Sequence, residues 1–462
     1  MSNRMSDTEA IMWAVEKDPA LRSDFTNITI LEGKPDERRL RAKIDAALDE
    51  IPRLRQRVVS PPLRLAPPEW RDDPTLDLDY HLRKVAVPEP GGMRELLDVA
   101  AIFSATPFDR SRPLWEFTMV EGLADGGVAL LQKVHHAVTD GVGGLRLSLS
   151  LVDFEPDAPP GPQSERGGER DDAPPRTTPA GVLADALRFS AHRQFELARQ
   201  GFGAAAHLAA HPDEARRDVV GAAQLAASVR RQVLVTEPAR SGLLRHRSLG
   251  RRFEVRQVPL DAVKEAAAAL GGSVNDVFVT AVAGALGTYH ERMGEPCDEL
   301  RMAMAVSLRG DGGEGAENSF APSRVLVPVG PKDPAARFAR VSERVAEVRQ
   351  EPALGAAGSL AGLLAPLPTS LLVALTRSQA RTIDFATSNL RGSPVDLYVG
   401  GSRITANYPM GPRTGCALNV TLLSYKGSLD LGLNLDPAAV TDPDALLECL
   451  DEAFADLLGK SA

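Results

Sequence analysis

Leu-Leu-Gln-Lys-Val-His-His-Ala-Val-Thr-Asp-Gly-Val-Gly-Gly-Leu, residues 130–145, is the stretch around which the rest of the chain is organised. The apolar run from Val128 to Val134 has the length and composition of a buried strand. It ends in His135 and His136, and Asp140, Gly141, Gly143 and Gly144 follow before an apolar run able to open a helix. Neighbours on a strand face opposite ways, so one histidine is expected to look into a cleft while the other packs or braces. A neutral imidazole at a strand end can accept a proton from an alcohol without a metal. Asp140, past a turn, is placed to fix the loop by pairing with a basic group. Gly141 has no Cβ and lets the backbone bend or a substrate come close. A histidine pair packed purely for structure is the competing reading. A zinc site fits less well, because the spacing is not His-Glu-x-x-His and no paired cysteines stand nearby.

His135-His136-Ala137-Val138-Thr139-Asp140-Gly141 is a complete His-His-x-x-x-Asp-Gly motif. It resembles that of the acyl-CoA-dependent acyltransferases of the chloramphenicol acetyltransferase-like superfamily. The resemblance implies that the second histidine, His136, is the general base and that His135 is structural.

Composition sets the frame. The chain has 462 residues, enough for two or three domains and a large core. A hydrophobic content of 43% with 25% charged residues is that of an ordinary globular protein. The net charge of −9 argues against nucleic acid as a partner, although local basic stretches such as Arg245 to Arg252 can still face phosphates. Cys297, Cys416 and Cys449 are odd in number and far apart, which fits a reducing compartment without a disulfide framework. Met1 to Asp24 is charged throughout and unlike a signal peptide. The uncharged segment from Pro352 to Thr376 imitates a membrane span. Pro366 and Pro368 break it, so two short helices are expected, serving either as core or as a lipid-docking surface.

Taken in order, Ser6 or Asp7 caps a first helix reaching about Glu16, and Phe25 to Leu31 alternates as a strand. Pro35 starts an amphipathic helix with Leu40, Ile44, Ala47, Leu48 and Ile51 on one face. The segment from Leu76 to Val87 is expected to be strand, and Glu95 to Thr106 helix. A strand from Phe117 to Val120 and a glycine-rich hairpin lead into the histidine strand. From Pro156 to Pro179 proline, glycine and charge dominate, which marks a flexible linker. Leu183 to Val235 reads as Ala-, Arg- and Leu-rich helices, either a crossover between domains or a face for an anionic membrane. A second domain begins near Ser241. There Ser273 or Asn275 caps a long helix, and Asp276 suits the positive end of its dipole. Strands and helices then alternate to a closing helix from about Pro443 to Leu458.

Several segments narrow the resemblance. Ile51-Pro52-Arg53-Leu54-Arg55-Gln56-Arg57, Asp77-Leu78-Asp79-Tyr80-His81 and Pro113-Leu114-Trp115-Glu116 look like the bacterial wax ester synthase/diacylglycerol acyltransferase family. So do Val274-Asn275-Asp276 and the Ser388-Asn389 pair. Departures are Glu317 before Asn318, Leu390 to Pro394 after Asn389, and Met5 to Lys17. The resemblance implies an α/β fold of two chloramphenicol acetyltransferase-like domains, each a mixed sheet with flanking helices, and an active-site tunnel at their interface. The expected division is 1–155 for the first lobe, 156–180 linker, 181–240 helical crossover and 241–462 for the second lobe. The resemblance also implies that Pro113, Leu114 and Trp115 line or support the acyl region, although Trp115 is equally readable as a core aromatic. His135, Asp140, Gly141, Asn275 and Asp276 would have supporting roles.

The function so implied is transfer of a long-chain acyl group from acyl-CoA to a hydroxyl of diacylglycerol or of a fatty alcohol. No cofactor or metal is expected, acyl-CoA being a substrate. A cytoplasmic enzyme held peripherally at a membrane or lipid droplet is expected, because the lipid acceptors are insoluble. No Gly-x-Ser-x-Gly setting points to a covalent intermediate. Two other readings stay open: a condensation-type enzyme using a carrier-bound thioester, and a lipid-binding protein without catalysis. Acceptor, chain length and oligomeric state are not legible.

Overall fold

The computed structural model describes residues 3–62, 65–138, 147–159, 181, 183–195, 199, 237–307, 320–349, 361–362 and 364–459. In the first half, α1 (Asp7–Val15), β1 (Asp24–Leu31), α2 (Glu37–Glu50), β2 (Gln56–Val59), β3 (Glu69–Asp72), α3 (Leu78–His81), β4 (Leu82–Ala86), α4 (Met93–Ala105), β5 (Trp115–Glu121) and β6 (Val128–His135) follow one another. The second half carries β7 (Arg252–Pro259), α5 (Leu260–Leu270), α6 (Val274–Arg292), β8 (Glu299–Ser307), β9 (Phe320–Pro328), α7 (Pro334–Arg349) and α8 (Thr369–Ala380). It ends with β10 (Phe385–Arg391), β11 (Tyr398–Val399), β12 (Ser402–Met410), β13 (Leu418–Tyr425), β14 (Ser428–Leu435) and α9 (Pro443–Leu457).

The strands form two mixed six-stranded sheets, with a separate β2–β3 hairpin. The first sheet runs β11-β12-β1-β6-β5-β4 and the second β7-β14-β13-β10-β8-β9. β6 lies between β1 and β5, and its side chains divide by parity. Val128, Leu130 and Val134 join Trp115 and Phe117 in one core, which the Leu40, Ile44, Ala47 and Leu48 stripe of α2 covers. Ala129 and Leu131 join Ile28 and Ile30 in another, under Leu96, Leu97, Ala100 and Ala101 of α4. Each large side chain so buried stabilises the fold by about 1.5–3 kcal/mol relative to exposure. A strand covered on both faces is apolar on both, which is why Val128 to Leu131 does not alternate.

Local sequence sets the ends of elements. Ser6 and Glu9 cap α1 reciprocally, the Ser6 hydroxyl accepting the Glu9 N–H at 3.3 Å and the Glu9 carboxylate the Ser6 N–H at 2.7 Å. The expected strand over Leu76–Val87 is divided instead. The Asp77 carboxylate accepts the Asp79 N–H at 3.0 Å and caps one helical turn, and the strand begins only at Leu82.

The second sheet is backed by α6, α7 and α9. α6 is buried nearly all round, as its Ala/Val/Gly sequence requires. A Cβ at Gly287 would stand 2.2 Å from the Val329 carbonyl oxygen, so α6 approaches that turn as only glycine allows. No single described helix is long and apolar enough to cross a membrane. α5 and α6 together pass for one by composition, but they meet at 94° and α6 is buried in protein.

Chain order and sheet membership do not coincide. β11 and β12 come late in the chain yet extend the first sheet, residues 26–31 of β1 pairing antiparallel with 404–410. Asn407 of β12 donates its N–H to Asp430 of β14 at 2.7 Å. Arg94 of α4 reaches Glu254 at 2.6 Å and the Phe253 carbonyl at 3.1 Å on β7. The two sheets are thereby joined through strand exchange, hydrogen bonds and charge.

Candidate active site

The two histidines part at the end of β6. His135 continues the odd-numbered series of the strand and is buried, 1% exposed. Its Nδ1 accepts the Ala137 N–H at 2.9 Å, and its Nε2 lies 2.7 Å from Glu16 Oε1. Trp13 and Phe108 meet its ring edge-on at 6.2 and 6.4 Å between centroids. His136 sits one residue past the strand, is only half-buried, and has Phe25 beside it at 5.1 Å between ring centroids. Its backbone N–H donates to the Ser23 carbonyl at 3.2 Å. Among the described residues, none hydrogen-bonds either nitrogen of the His136 ring.

Electrostatics keep that ring neutral. Burial is the largest influence, and the neighbouring His135 acts the same way. Asp24 and Glu16 oppose both, and the net effect lowers His136 from 6.5 to about 4. Near neutrality His136 therefore carries a free lone pair, as a proton acceptor must. Asp24 is buried and held by Arg251, whose Nη1 lies 3.3 Å from its carboxylate and donates to Ser104 Oγ at 2.6 Å.

The other expected site residues are dispersed. Asp140 and Gly141 lie outside the described residues. Asp276 serves its own helix, accepting the Ser273 N–H at 2.9 Å and the Ser273 hydroxyl at 2.7 Å. Asn275 Oδ1 accepts from Asn389 Nδ2 at 3.3 Å, so the Val-Asn-Asp and Ser-Asn segments meet. Pro113, Leu114 and Trp115 are all buried. Trp115 stacks on His81 at 4.4 Å and donates its indole N–H to the Leu54 carbonyl at 2.7 Å, while the Leu114 carbonyl accepts the His135 N–H at 3.1 Å. The Pro-Leu-Trp triplet thus supports the histidine strand from within the core.

Glu16, Lys133 and Asp384 were not legible as site or hub residues. Lys133 is buried on the same face of β6 as His135, donates to the Thr106 carbonyl and has the Phe108 ring 4.2 Å from its ammonium. Asp384 accepts the N–H groups of Arg240, Ser241 and Arg301 at 3.2, 2.9 and 2.7 Å, pinning the start of the second sheet's layer. Nothing local in sequence marks either. Glu16 follows a helix whose start is readable, but its partner is 119 positions away by difference of residue numbers (135 − 16).

Two clefts lie apart from the histidines. One, of about 510 Å³, is bounded by Lys34, Arg39, Pro156 and Gly400–Ser402. The other, of about 170 Å³, lies between α6, α7 and α9 at Gly284, Gly287 and Arg337. Neither is the expected tunnel. Among the described residues no group of three or more His, Cys, Asp or Glu side chains is arranged to hold a metal ion.

The molecule is thus mixed α/β with two sheets and carries a neutral, half-buried imidazole at the end of a central strand. Residues 6–278 match the profile of the wax ester synthase/diacylglycerol acyltransferase catalytic domain, and residues 317–458 that of the WS/DGAT C-terminal domain. A protein of Mycobacterium tuberculosis provisionally named a diacylglycerol O-acyltransferase is 35% identical over 99% of this chain and 92% of its own length. A second from the same species with the same provisional name is 30% identical over 88% and 86%. The wax ester synthase/diacylglycerol acyltransferase from Marinobacter aquaeolei VT8 superposes with a TM-score of 0.63 at 23% identity, covering 98% of both chains. The starter condensation domain of rhizomide synthetase, in a mutant complex with C8-CoA and Leu-SNAC, gives 0.58 at 13% identity over 99% and 94%, a likeness of fold. The chain belongs to the wax ester synthase/diacylglycerol acyltransferase family. It is accordingly an acyl-CoA-dependent O-acyltransferase.

Proposed function

We propose that the enzyme moves a long-chain acyl group from coenzyme A to the free hydroxyl of diacylglycerol, forming triacylglycerol, with His136 as general base. A fatty alcohol, giving a wax ester, is the second acceptor of this chemistry. The observation that carries the mechanism is the contrast at 135 and 136. His135 has both ring nitrogens engaged, whereas His136 is half-buried and neutral. His136 takes the hydroxyl proton as the alcohol oxygen forms its bond to the thioester carbonyl carbon. The tetrahedral oxyanion then collapses, the C–S bond breaks, and the proton passes from the imidazolium to the departing thiolate. Ester and free coenzyme A are the products. Base assistance of this kind contributes roughly a hundredfold to ten-thousandfold in rate.

In this reading Asp140 and Gly141 shape the loop after the base, and Asn275 and Asp276 order the second lobe near the acyl path, which runs between the lobes. Both substrates carry long apolar chains, so turnover takes place at a membrane or lipid-droplet surface. Exposed Leu183, Leu187 and Phe195 in the helical segment after the linker are suited to such contact. The test is thiol release by purified protein given long-chain acyl-CoA with diacylglycerol or fatty alcohol. Wild type is expected to release coenzyme A and form the ester. Equal slow release by wild type and His136→Ala would remove the histidine from the chemistry.

A further inference from the structure

We infer that Glu16 is a positioning residue for acyl transfer: one carboxylate oxygen holds the ring of His135 and, through His135 and Ser23, the backbone on both sides of His136. This rests on the reading of His136 as the base.

These residues form a closed circuit of three hydrogen bonds and one close polar contact, the last between His135 Nε2 and Glu16. The Ala137 N–H points at His135 Nδ1 over 2.9 Å, so that nitrogen carries the lone pair and the ring proton sits on Nε2. Nε2 is the nitrogen that lies 2.7 Å from Glu16 Oε1. The same oxygen accepts the Ser23 N–H at 2.9 Å, and the Ser23 carbonyl accepts the His136 N–H at 3.2 Å. One arm of the circuit therefore grips the amide that enters residue 136 and the other grips the amide that leaves it. The catalytic ring's backbone is fixed at both ends by a single acceptor.

The surroundings keep this acceptor charged and in place. Glu16 is 11% exposed in its side chain. Burial alone would push its carboxyl up, but the bond to His135, the Ser23 N–H and the Arg110 charge outweigh burial and hold it below its ordinary range. Arg110 is locked in turn, its guanidinium 3.4 Å from the Trp13 ring centroid and bonded to the Trp13 carbonyl at 2.8 Å. The Glu16–His135 pair cannot itself be the base. His135 is buried and has no lone pair left for a substrate hydroxyl.

A misplacement of about 1 Å at a catalytic group costs roughly a hundredfold in rate. The experiment compares full-length wild type with Glu16→Ala, Glu16→Gln and His136→Ala, measuring kcat and KM for acyl-CoA, the thermal midpoint, and imidazole 15N shifts in histidine-labelled protein. Glu16→Ala is expected to lower kcat by roughly tenfold to a hundredfold with KM within about threefold. It should also turn the His135 resonance, assigned by its loss in His135→Asn, from a pure Nε2–H tautomer into a mixture. Glu16→Gln keeps an acceptor oxygen and should recover most of kcat and the tautomer. Wild-type kcat in Glu16→Ala, an unchanged tautomer, or Glu16→Gln as impaired as Glu16→Ala would each overturn the assignment. If His136→Ala retained wild-type turnover, the base itself would be wrong. A dead His136→Ala beside an unimpaired Glu16→Ala would sink only the positioning role.

Discussion

Each half of the molecule buries a histidine with both ring nitrogens engaged, and the two are put to different ends. In the first half His135 takes the Ala137 N–H on Nδ1 and meets Glu16 through Nε2. In the second, His290 Nδ1 donates to the Leu286 carbonyl at 2.7 Å, and its Nε2 accepts the Ser241 hydroxyl at 2.7 Å. Ser241 Oγ also accepts the Leu244 N–H at 2.9 Å, and its own N–H ends on Asp384. The second arrangement has the atoms of a serine–histidine dyad, yet both residues are fully buried and the neighbouring Tyr289 is core. It joins a loop to α6 and stops there. The first arrangement braces a loop whose next residue, His136, is partly open. If His136 is the base proposed above, the buried imidazole with polar contacts at both nitrogens is the supporting one and the partly open imidazole does the chemistry.

The largest expected break in this contrast is His136→Ala. kcat for thiol release should fall by about 10²–10⁴ while the thermal midpoint scarcely moves, because the ring makes no described hydrogen bond. Ser241→Ala should behave oppositely. It strands His290 Nε2 and the Leu244 N–H in the core, so denaturant unfolding should show a loss of about 1–3 kcal/mol with kcat unchanged. A fall in kcat without a fall in stability in that variant would mean the second histidine is not merely structural.

Acidity sharpens the same comparison. Burial, first of all, lowers His136 to about 4, so the acid limb of kcat/KM should lie near pH 4, with rates level between pH 7 and 5. Stability should not be level. His81, also lowered to about 4 chiefly by burial, and His290, lowered for the same reason, are neutral in the native state, as is His136. The unfolded chain binds protons below about 6.5, so this contribution is complete above that pH and is lost as pH falls toward 4. Short initial-rate assays alongside thermal midpoints from pH 7 to 4.5 separate the two effects. An acid limb near 6.5 in kcat/KM would place the titrating group elsewhere. The smallest effect is expected from Asn275→Ala, where loss of one 3.3 Å contact to Asn389 should change stability by less than about 1 kcal/mol on denaturant melting.

Much of the fold was written in local pattern. The 3- and 4-residue spacing of Leu40, Ile44, Ala47 and Leu48, the Ser6–Glu9 cap and the largely apolar run before His135 each carry their own signal, and each forms as expected. The one-turn helix at Leu78–His81 was missed because an aspartate cap outweighed an apparent alternation over a few residues. The family, and with it the enzyme class, was legible because His-His-x-x-x-Asp-Gly and Pro-Leu-Trp are contiguous. Glu16, Lys133 and Asp384 were not, because each acts through partners distant in the chain, and the strand, cap or motif signal beside each says nothing of those partners. Nothing in residues 398–410 announces that they pair with β1, since an edge strand of either sheet has the same alternating composition.

That late pairing has a consequence for how the polypeptide is made. Leu31 of β1 meets Ile404, so the register partner arrives roughly 370 residues after β1 has left the ribosome, about 20–75 s at ordinary rates of translation. Throughout that interval the nascent first lobe presents a bare β edge, the kind of surface that captures other strands. Stop codons or ribosome stalls anywhere before residue 404 should therefore yield sticky fragments rather than a half-sized enzyme. Supplying the missing strand in trans, as a separate peptide spanning 398–410, is the natural way to quieten them.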